Sequence, residues 1–255
     1  MDQSEKAAHF CRLHAGPSPL LLTNAWDAGS AKAIAAAGAA AIATSSWAVA
    51  EAQGRHDGED LPFDVVVRIV AGVAASVDVP VSVDFEGGYA DDEGALAANA
   101  ARLVEAGAVG INIEDRIVKG DGLRDASEQA SRIVAIRKAA EGCGAELFIN
   151  ARTDVFLSRV QDVASKETVR EALHRAKAYA DAGASGFFVP GLKDETSISR
   201  ICEASVLPVN VMAMDGVPGT ARLAELGVAR ISWGPIPYLE AMAALTRYAE
   251  PVLAS

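Results

Sequence analysis

Hydrophobic and polar positions alternate along the chain in blocks of two kinds. Short apolar runs follow Gly-Ala turns, and longer Ala/Leu/Glu/Arg stretches with apolar residues at helical spacing follow the runs. The runs predict strands at 20–24 (LLLTN), 40–45 (AAIATS), 79–85 (VPVSVDF), 109–115 (VGINIED), 146–153 (ELFINART), 186–191 (GFFVPG), 208–213 (PVNVMA) and 229–234 (ARISWG). Helices are predicted between them at 27–37, 62–76, 92–106, 125–141, 165–182, 194–204 and 217–226, with a last one at 236–248. The stretch MDQSEKAAHFCRLH reads as a polar tail without the apolar core of a signal segment.

Four helix-to-strand junctions share one logic: AAGAAAIA (36–43), EAGAVGIN (105–112), DAGASGFF (181–188) and ELGVARIS (225–232). In each, a helix closes at a glycine able to take the left-handed cap, and a buried strand follows at once. Repeated βα units over 255 residues predict one (β/α)8 TIM-type barrel domain spanning 1–255. A doubly wound open sheet is the alternative. It would be expected to carry a glycine-rich dinucleotide turn after its first strand, and LLLTNAWDAGS has no GxGxxG.

Composition narrows the function. With 51% hydrophobic and 22% charged residues the chain can build a large core. A net charge of −11 argues against nucleic acid and anionic membranes as partners, because no basic stripe is available to displace counterions. No apolar run approaches ~18 residues, so no membrane span is expected. The three cysteines, Cys11, Cys143 and Cys202, form no CxxC pair, which fits a reducing cytoplasm.

In a barrel the active site lies at the C-terminal strand ends. Those ends hold Asn24, Trp26 and Asp27; Thr44, Ser45, Ser46 and Trp47; Asp84 and Glu86; Asn112, Glu114, Asp115 and Arg116; Asn150, Arg152 and Asp154; Asn210; and Ser232 and Trp233. The opposite ends are mostly Ala, Gly and Val, an asymmetry that points to a small-molecule enzyme. Asp84, Glu86 and Glu114 come from neighbouring strands, which pack about 4.8 Å apart. Carboxylates that close repel unless a cation or protons intervene. An oxygen-only set suits Mg²⁺ or Mn²⁺ and argues against zinc. Asp91 and Asp92 suit the start of the following helix instead. Arg152 is expected either to grip an anionic substrate or to pair with Glu114 or Asp154. Ser45 and Ser46 could donate to the same anion or simply cap the strand. Two polar loops, 50–62 and 117–125, read as mobile covers over the mouth.

At these residues the sequence resembles the isocitrate lyase/phosphoenolpyruvate mutase superfamily. The matching stretches are TNAWDAGSAKAIAAAG, ATSSWAVAEAQGRHD, PVSVDFEGGYAD, GINIEDR and FINARTDVF, in family order and spacing. The resemblance implies a (β/α)8 barrel, a homotetramer and a last helix exchanged between subunits. It implies that Asp84, Glu86 and Glu114 serve Mg²⁺, with Glu86 in place of the family's usual second aspartate. It gives Arg152 a substrate contact, Ser45, Ser46 and Trp47 a carboxylate- or oxo-binding segment, and Asp57 a place in the gating region. Asn210, at the end of strand 7, is counted among the substrate-binding groups.

One departure bears on the reaction. Family lyases carry Lys-Lys/Arg-Cys-Gly-His on the loop after strand 4, where this chain has IVKGDGLRD and no cysteine. The loop also lacks the Lys-(Thr/Arg)-Asn of the phosphonate mutases, and Pro190 lies where those enzymes place a histidine. The expectation is a Mg²⁺-dependent enzyme cleaving a C–C bond of a small 2-oxo or 2-hydroxy acid through an enolate, with Arg152, Glu114 and Asp57 as catalytic groups. The alternatives are a P–C bond enzyme and a barrel that binds a 2-oxo acid without turnover.

Overall fold

The four junction glycines, Gly38, Gly107, Gly183 and Gly227, have φ of 95°, 98°, 93° and 86°. Each turns two N–H groups back onto the last helical turn, as Gly107 does onto Val104 O (2.9 Å) and Ala108 onto Leu103 O (3.0 Å). This closes the open carbonyls of the helix and aims the chain into the next strand. The computed structural model describes residues 1–157 and 165–254.

The strands are β1 Leu20–Leu22, β2 Asn24–Ala25, β3 Ile42–Thr44, β4 Val81–Asp84, β5 Gly110–Glu114, β6 Phe148–Arg152, β7 Gly186–Phe188, β8 Val209–Met212 and β9 Arg230–Ser232. All neighbours are parallel, in the order β1-β9-β8-β7-β6-β5-β4-β3-β2. The two ends of that order are joined covalently through Thr23, so the sheet forms a (β/α)8 barrel. The first predicted strand is thus two: β1 pairs with β9, and β2 with β3.

The helices are α1 Gln3–Leu13, α2 Ala28–Ala36, α3 Ser46–Ala52, α4 Phe63–Ser76, α5 Glu93–Glu105, α6 Ala126–Gly142, α7 Lys166–Asp181, α8 Glu195–Ala204, α9 Thr220–Glu225 and α10 Ile236–Leu253. Two of them depart from expectation. The segment predicted as a tail is α1, started by a reciprocal Asp2–Glu5 capping box with both bonds at 2.8 Å. It lays Ala7 and Phe10 against Leu20, Leu22, Val109 and Phe148, and the His14 ring stacks on Phe148 at 4.0 Å. Together they close the N-terminal end of the barrel. The first part of the 50–62 loop is α3, whose N-cap is Ser45.

The last helix, α10, has no fully buried residue. Tyr238 holds its start at the mouth, edge-on to Trp26 (5.2 Å) and Trp47 (6.0 Å). Leu239, Leu245, Tyr248 and Leu253 are exposed along it.

Candidate active site

The C-terminal mouth of the barrel divides into two halves of opposite character. On one side Arg152, at the end of β6, forks onto Asp154 through Nε–Oδ1 (2.6 Å) and Nη2–Oδ2 (2.9 Å). Its Nη1 reaches Glu114 Oε2 at 2.9 Å. Burial alone would lower the Arg152 pKa, but Glu114 and Asp154 outweigh it and hold the guanidinium firmly charged. Burial also pushes the Glu114 carboxyl up, against the pull of Arg152. Asp154 is fixed in turn by its N–H donating to Asp115 Oδ1 (3.0 Å), and Asp115 accepts from Arg175 and Tyr179 behind the site (3.0 and 2.8 Å). The pairing expected as one alternative for Arg152 is therefore present, with both named acids.

The other half is unsatisfied. Asp84 ends β4, with its N–H donating to Thr44 Oγ1 at 2.9 Å. Its Oδ2 accepts from the Ser46 amide (3.1 Å) and lies 2.8 Å from the Ser46 hydroxyl. Its Oδ1 is buried without a partner. The same Ser46 Oγ lies 3.1 Å from Asp57 Oδ1. One hydroxyl has one proton, so it cannot donate to both carboxylates at once. Desolvation of its inner face, and then the Asp84 carboxylate, push the Asp57 carboxyl up. An unfilled buried carboxylate oxygen beside a second acid is a place where a hard divalent cation fits.

The remaining predicted residues are more distributed. Glu86 has φ 50° and turns toward the 54–60 loop. Its Oε2 accepts from the N–H groups of Gly58 (2.9 Å) and Glu59 (2.8 Å), and its Oε1 from the Tyr89 hydroxyl (2.6 Å). With Glu86 facing the loop and Glu114 facing Arg152, the expected convergence of three carboxylates is not what the backbone produces. Among the described residues no group of three or more His, Cys, Asp or Glu side chains is arranged to hold a metal ion. Ser45 is buried and caps helix α3 rather than the strand, its hydroxyl 3.4 Å from the Ala48 amide. Trp47 is half-buried against Tyr238. Asn210 lies below the mouth, where Asn150 Nδ2 donates to Asn210 Oδ1 (3.0 Å) and Asn112 Oδ1 (2.9 Å). Arg230 completes this polar layer with an Nη2–Asn112 Oδ1 bond of 3.2 Å. Its other guanidinium nitrogens are buried without partners, and burial pushes its pKa down to about 10. The loop after β5 is a small hairpin closed by an Arg116–Leu123 bridge.

Sequence reasoning missed Tyr89, Glu59 and Arg132. Arg132 is buried on α6 and donates to the carbonyls of Gly87, Ala90 (2.9 Å) and Asp91 (3.1 Å), holding the turn after β4 from below. The available signal was its spacing with Gln129, Ile133, Ile136 and Ala140, which puts an arginine on the apolar face of a helix. Gly88 lets that turn approach α5: a Cβ there would meet Leu96 Cδ1 at 2.1 Å. Asp92 caps α5 as expected, through Ala95 N–H (2.9 Å), while Asp91 pairs with Arg124 instead.

The phosphoenolpyruvate phosphomutase family profile matches residues 10–253. The chain belongs to this family. A family relative of unassigned function in Mycobacterium tuberculosis H37Rv is 37% identical over 95% of this chain and 88% of its own. The 2-methylisocitrate lyase of Bacillus subtilis is 28% identical over 81% of this chain and 67% of its own. A crystal structure from Burkholderia cenocepacia J2315, provisionally named a phosphonomutase, superposes with a TM-score of 0.94 at 45% identity, covering 98% and 99% of the two chains. A phosphonopyruvate hydrolase complex with oxalate and Mg²⁺ shares the fold (TM-score 0.86, 19% identity, 98% and 87% covered). Named members of the superfamily thus include lyases and mutases. Among the described residues no helix is long and apolar enough to cross a membrane.

Proposed function

We propose that this protein is a Mg²⁺-dependent enzyme that cleaves a C–C bond of a small 2-oxo or 2-hydroxy carboxylic acid, with charge developing as an enolate. The observation that carries it is the unpartnered, buried Asp84 Oδ1 beside Asp57 at the mouth of the barrel. Asp84 would hold the ion, with Asp57 beside it and Glu114, paired with Arg152, the further acid of the mouth; Mn²⁺ has the same ligand preferences. When bound, the ion would polarise the substrate oxygen and stabilise negative charge on it.

The chain's own groups supply the rest. Arg152, kept charged by Glu114 and Asp154, is a fixed positive centre at the rim for a substrate carboxylate. Ser46 can pass a proton between its neighbours: with the proton on Asp57, that acid donates to Ser46 Oγ and Ser46 donates to Asp84 Oδ2. Asp57 would thus be a proton site in a chain whose loop after β5 lacks the lyase cysteine. Ser45 sets the start of α3 and so the direction of the Ser46 amide, and Trp47 walls the mouth. Asn210 acts from below through Asn150. A screen of 2-oxo, 2-hydroxy and phosphono acids with Mg²⁺, read by product mass, tests the proposal. Turnover of no 2-oxo or 2-hydroxy acid, or full turnover by Asp84→Ala, would overturn it.

A P–C bond enzyme is the second reading, favoured by the 45% identity to the provisionally named phosphonomutase; phosphate release from a phosphono acid would select it. The exposed apolar residues of α10 support assembly into a homotetramer through exchange of this helix, which light scattering tests. A cytoplasmic location fits the cysteine pattern.

A further inference from the structure

Among the described residues, three non-glycine residues have left-handed backbone, and all three belong to one contact ring: Glu59 (φ 59°), Glu86 (φ 50°) and Tyr89 (φ 57°). Residues with a Cβ rarely adopt this conformation, so the surrounding bonds must enforce it. Glu86 takes the Gly58 and Glu59 amides on one oxygen and the Tyr89 hydroxyl on the other. Glu59 Oε1 returns the contact by accepting the Tyr89 N–H at 2.7 Å. The ring is anchored to the barrel on the Tyr89 side. The Tyr89 ring packs on Phe63 (5.0 Å) and Phe85 (6.4 Å), and Arg132 grips the carbonyls between Gly87 and Asp91. On the other side is the exposed segment Gly54–Asp57, which brings Asp57 to Ser46. Glu59 Oε2 also lies 3.7 Å from Lys119 Nζ, so the hairpin after β5 joins the same ring.

We infer that Glu86 is a positioning residue that clasps the 54–60 loop, and with it Asp57, over the site, rather than a ligand of the metal. This presupposes Asp84 as the metal-holding acid. The substitution of Glu for the family's usual aspartate then has a physical reason. The longer side chain spans from the end of β4 to the amides of a separate loop, whereas a shorter acid would stop one methylene short of them.

Tryptic cleavage after Arg55, in the clasped loop, reads the opening of the ring without requiring a known substrate. Cleavage after the exposed Arg170 of α7 controls for general loosening. Glu86→Gln and Glu86→Asp should each speed cleavage at Arg55 by about tenfold, with Arg170 unchanged, because cleavage follows the open population. Tyr89→Phe should act in the same direction. Mg²⁺ affinity of the three variants, measured by calorimetry without ligand, should stay within about twofold of wild type, while affinity for oxalate in the presence of Mg²⁺ should fall about tenfold. A wild-type cleavage rate at Arg55 in both Glu86→Gln and Tyr89→Phe would overturn the clasp. So would loss of Mg²⁺ binding in Glu86→Gln with its retention in Glu86→Asp, the signature of a ligand. Wild-type Mg²⁺ binding in Asp84→Ala would instead strike the metal assignment and leave the cleavage result standing.

Discussion

The two ends of the barrel bury polar groups by opposite means. At the floor, His14 packs against the Phe10 and Phe148 rings, and its Nδ1 is 2.8 Å from the Phe10 carbonyl. Burial, then the nearby Arg230 charge, push its pKa down to about 3, so the ring is neutral and packs like an aromatic. At the mouth, Arg152, Glu114, Asp154, Asp84 and Asp57 keep ionisable groups crowded together, and only the Arg152 side is fully paired. At the floor the charge is removed from His14 itself, beside a buried Arg230. The mouth accepts a less stable arrangement that a bound cation and anion can complete, as expected of a functional site.

Acid should break this contrast most strongly. The unfolded His14 binds a proton near 6.5 and the folded one near 3, so the unfolded chain holds more protons between those values. Stability from this group is complete above pH 6.5 and is lost as pH falls toward 3, by on the order of 5 kcal/mol over the full window. His14→Phe keeps the ring stack, and denaturant titrations should show a flatter acid limb than wild type by that amount. Next comes Phe10→Ala, expected to cost about 3–5 kcal/mol. Its thermal midpoint should fall by roughly 10 °C with oxalate affinity in Mg²⁺ unchanged, at about 2–4 °C per kcal/mol. If oxalate affinity fell with it, floor and mouth would not be separable.

The mouth should show the reverse. With Mg²⁺ already bound, oxalate at about 100 times its dissociation constant should add about 2.7 kcal/mol to the wild type in unfolding experiments. Asp84→Ala should lose that gain while its metal-free stability stays at or above wild type, because a crowded carboxylate is gone. The smallest effect is expected at α10. Leu245→Asp removes an exposed leucine (59% accessible) and should change the stability of a single chain by less than about 0.5 kcal/mol, while light scattering shows a smaller assembly.

The barrel was legible because its rules are local. Four junction glycines, each before a buried run, announce helix ends and strand starts without any knowledge of tertiary contacts. The rim residues followed, since strand ends fix their positions. The floor was hidden because α1 buries only Ala7 and Phe10, with His14 just after it, on an otherwise polar helix, too few to dominate the pattern. Asp84 and Arg152 were legible as single residues, but their partners were not. Which way a carboxylate turns depends on one backbone angle, and the left-handed φ of Glu86 swings it from its neighbours on the rim to a loop 27 residues away in sequence. The polar layer of Asn112, Asn150, Asn210 and Arg230 was obscured for a related reason: register across β5, β6, β8 and β9 decides that their side chains meet.

The tryptophans give the molecule an optical asymmetry. All 3 are half-buried at the mouth: Trp26 follows β2, Trp47 lies in α3, and Trp233 follows β9, its amide on Asn24 Oδ1 at 3.0 Å. Trp26 and Trp47 share the Tyr238 ring at the start of the last helix. Intrinsic emission therefore samples one end of the barrel and the seat of α10, and is blind to the floor. A spectral change on adding Mg²⁺ or oxalate originates where the chemistry is proposed, and a change on dilution originates where the last helix docks.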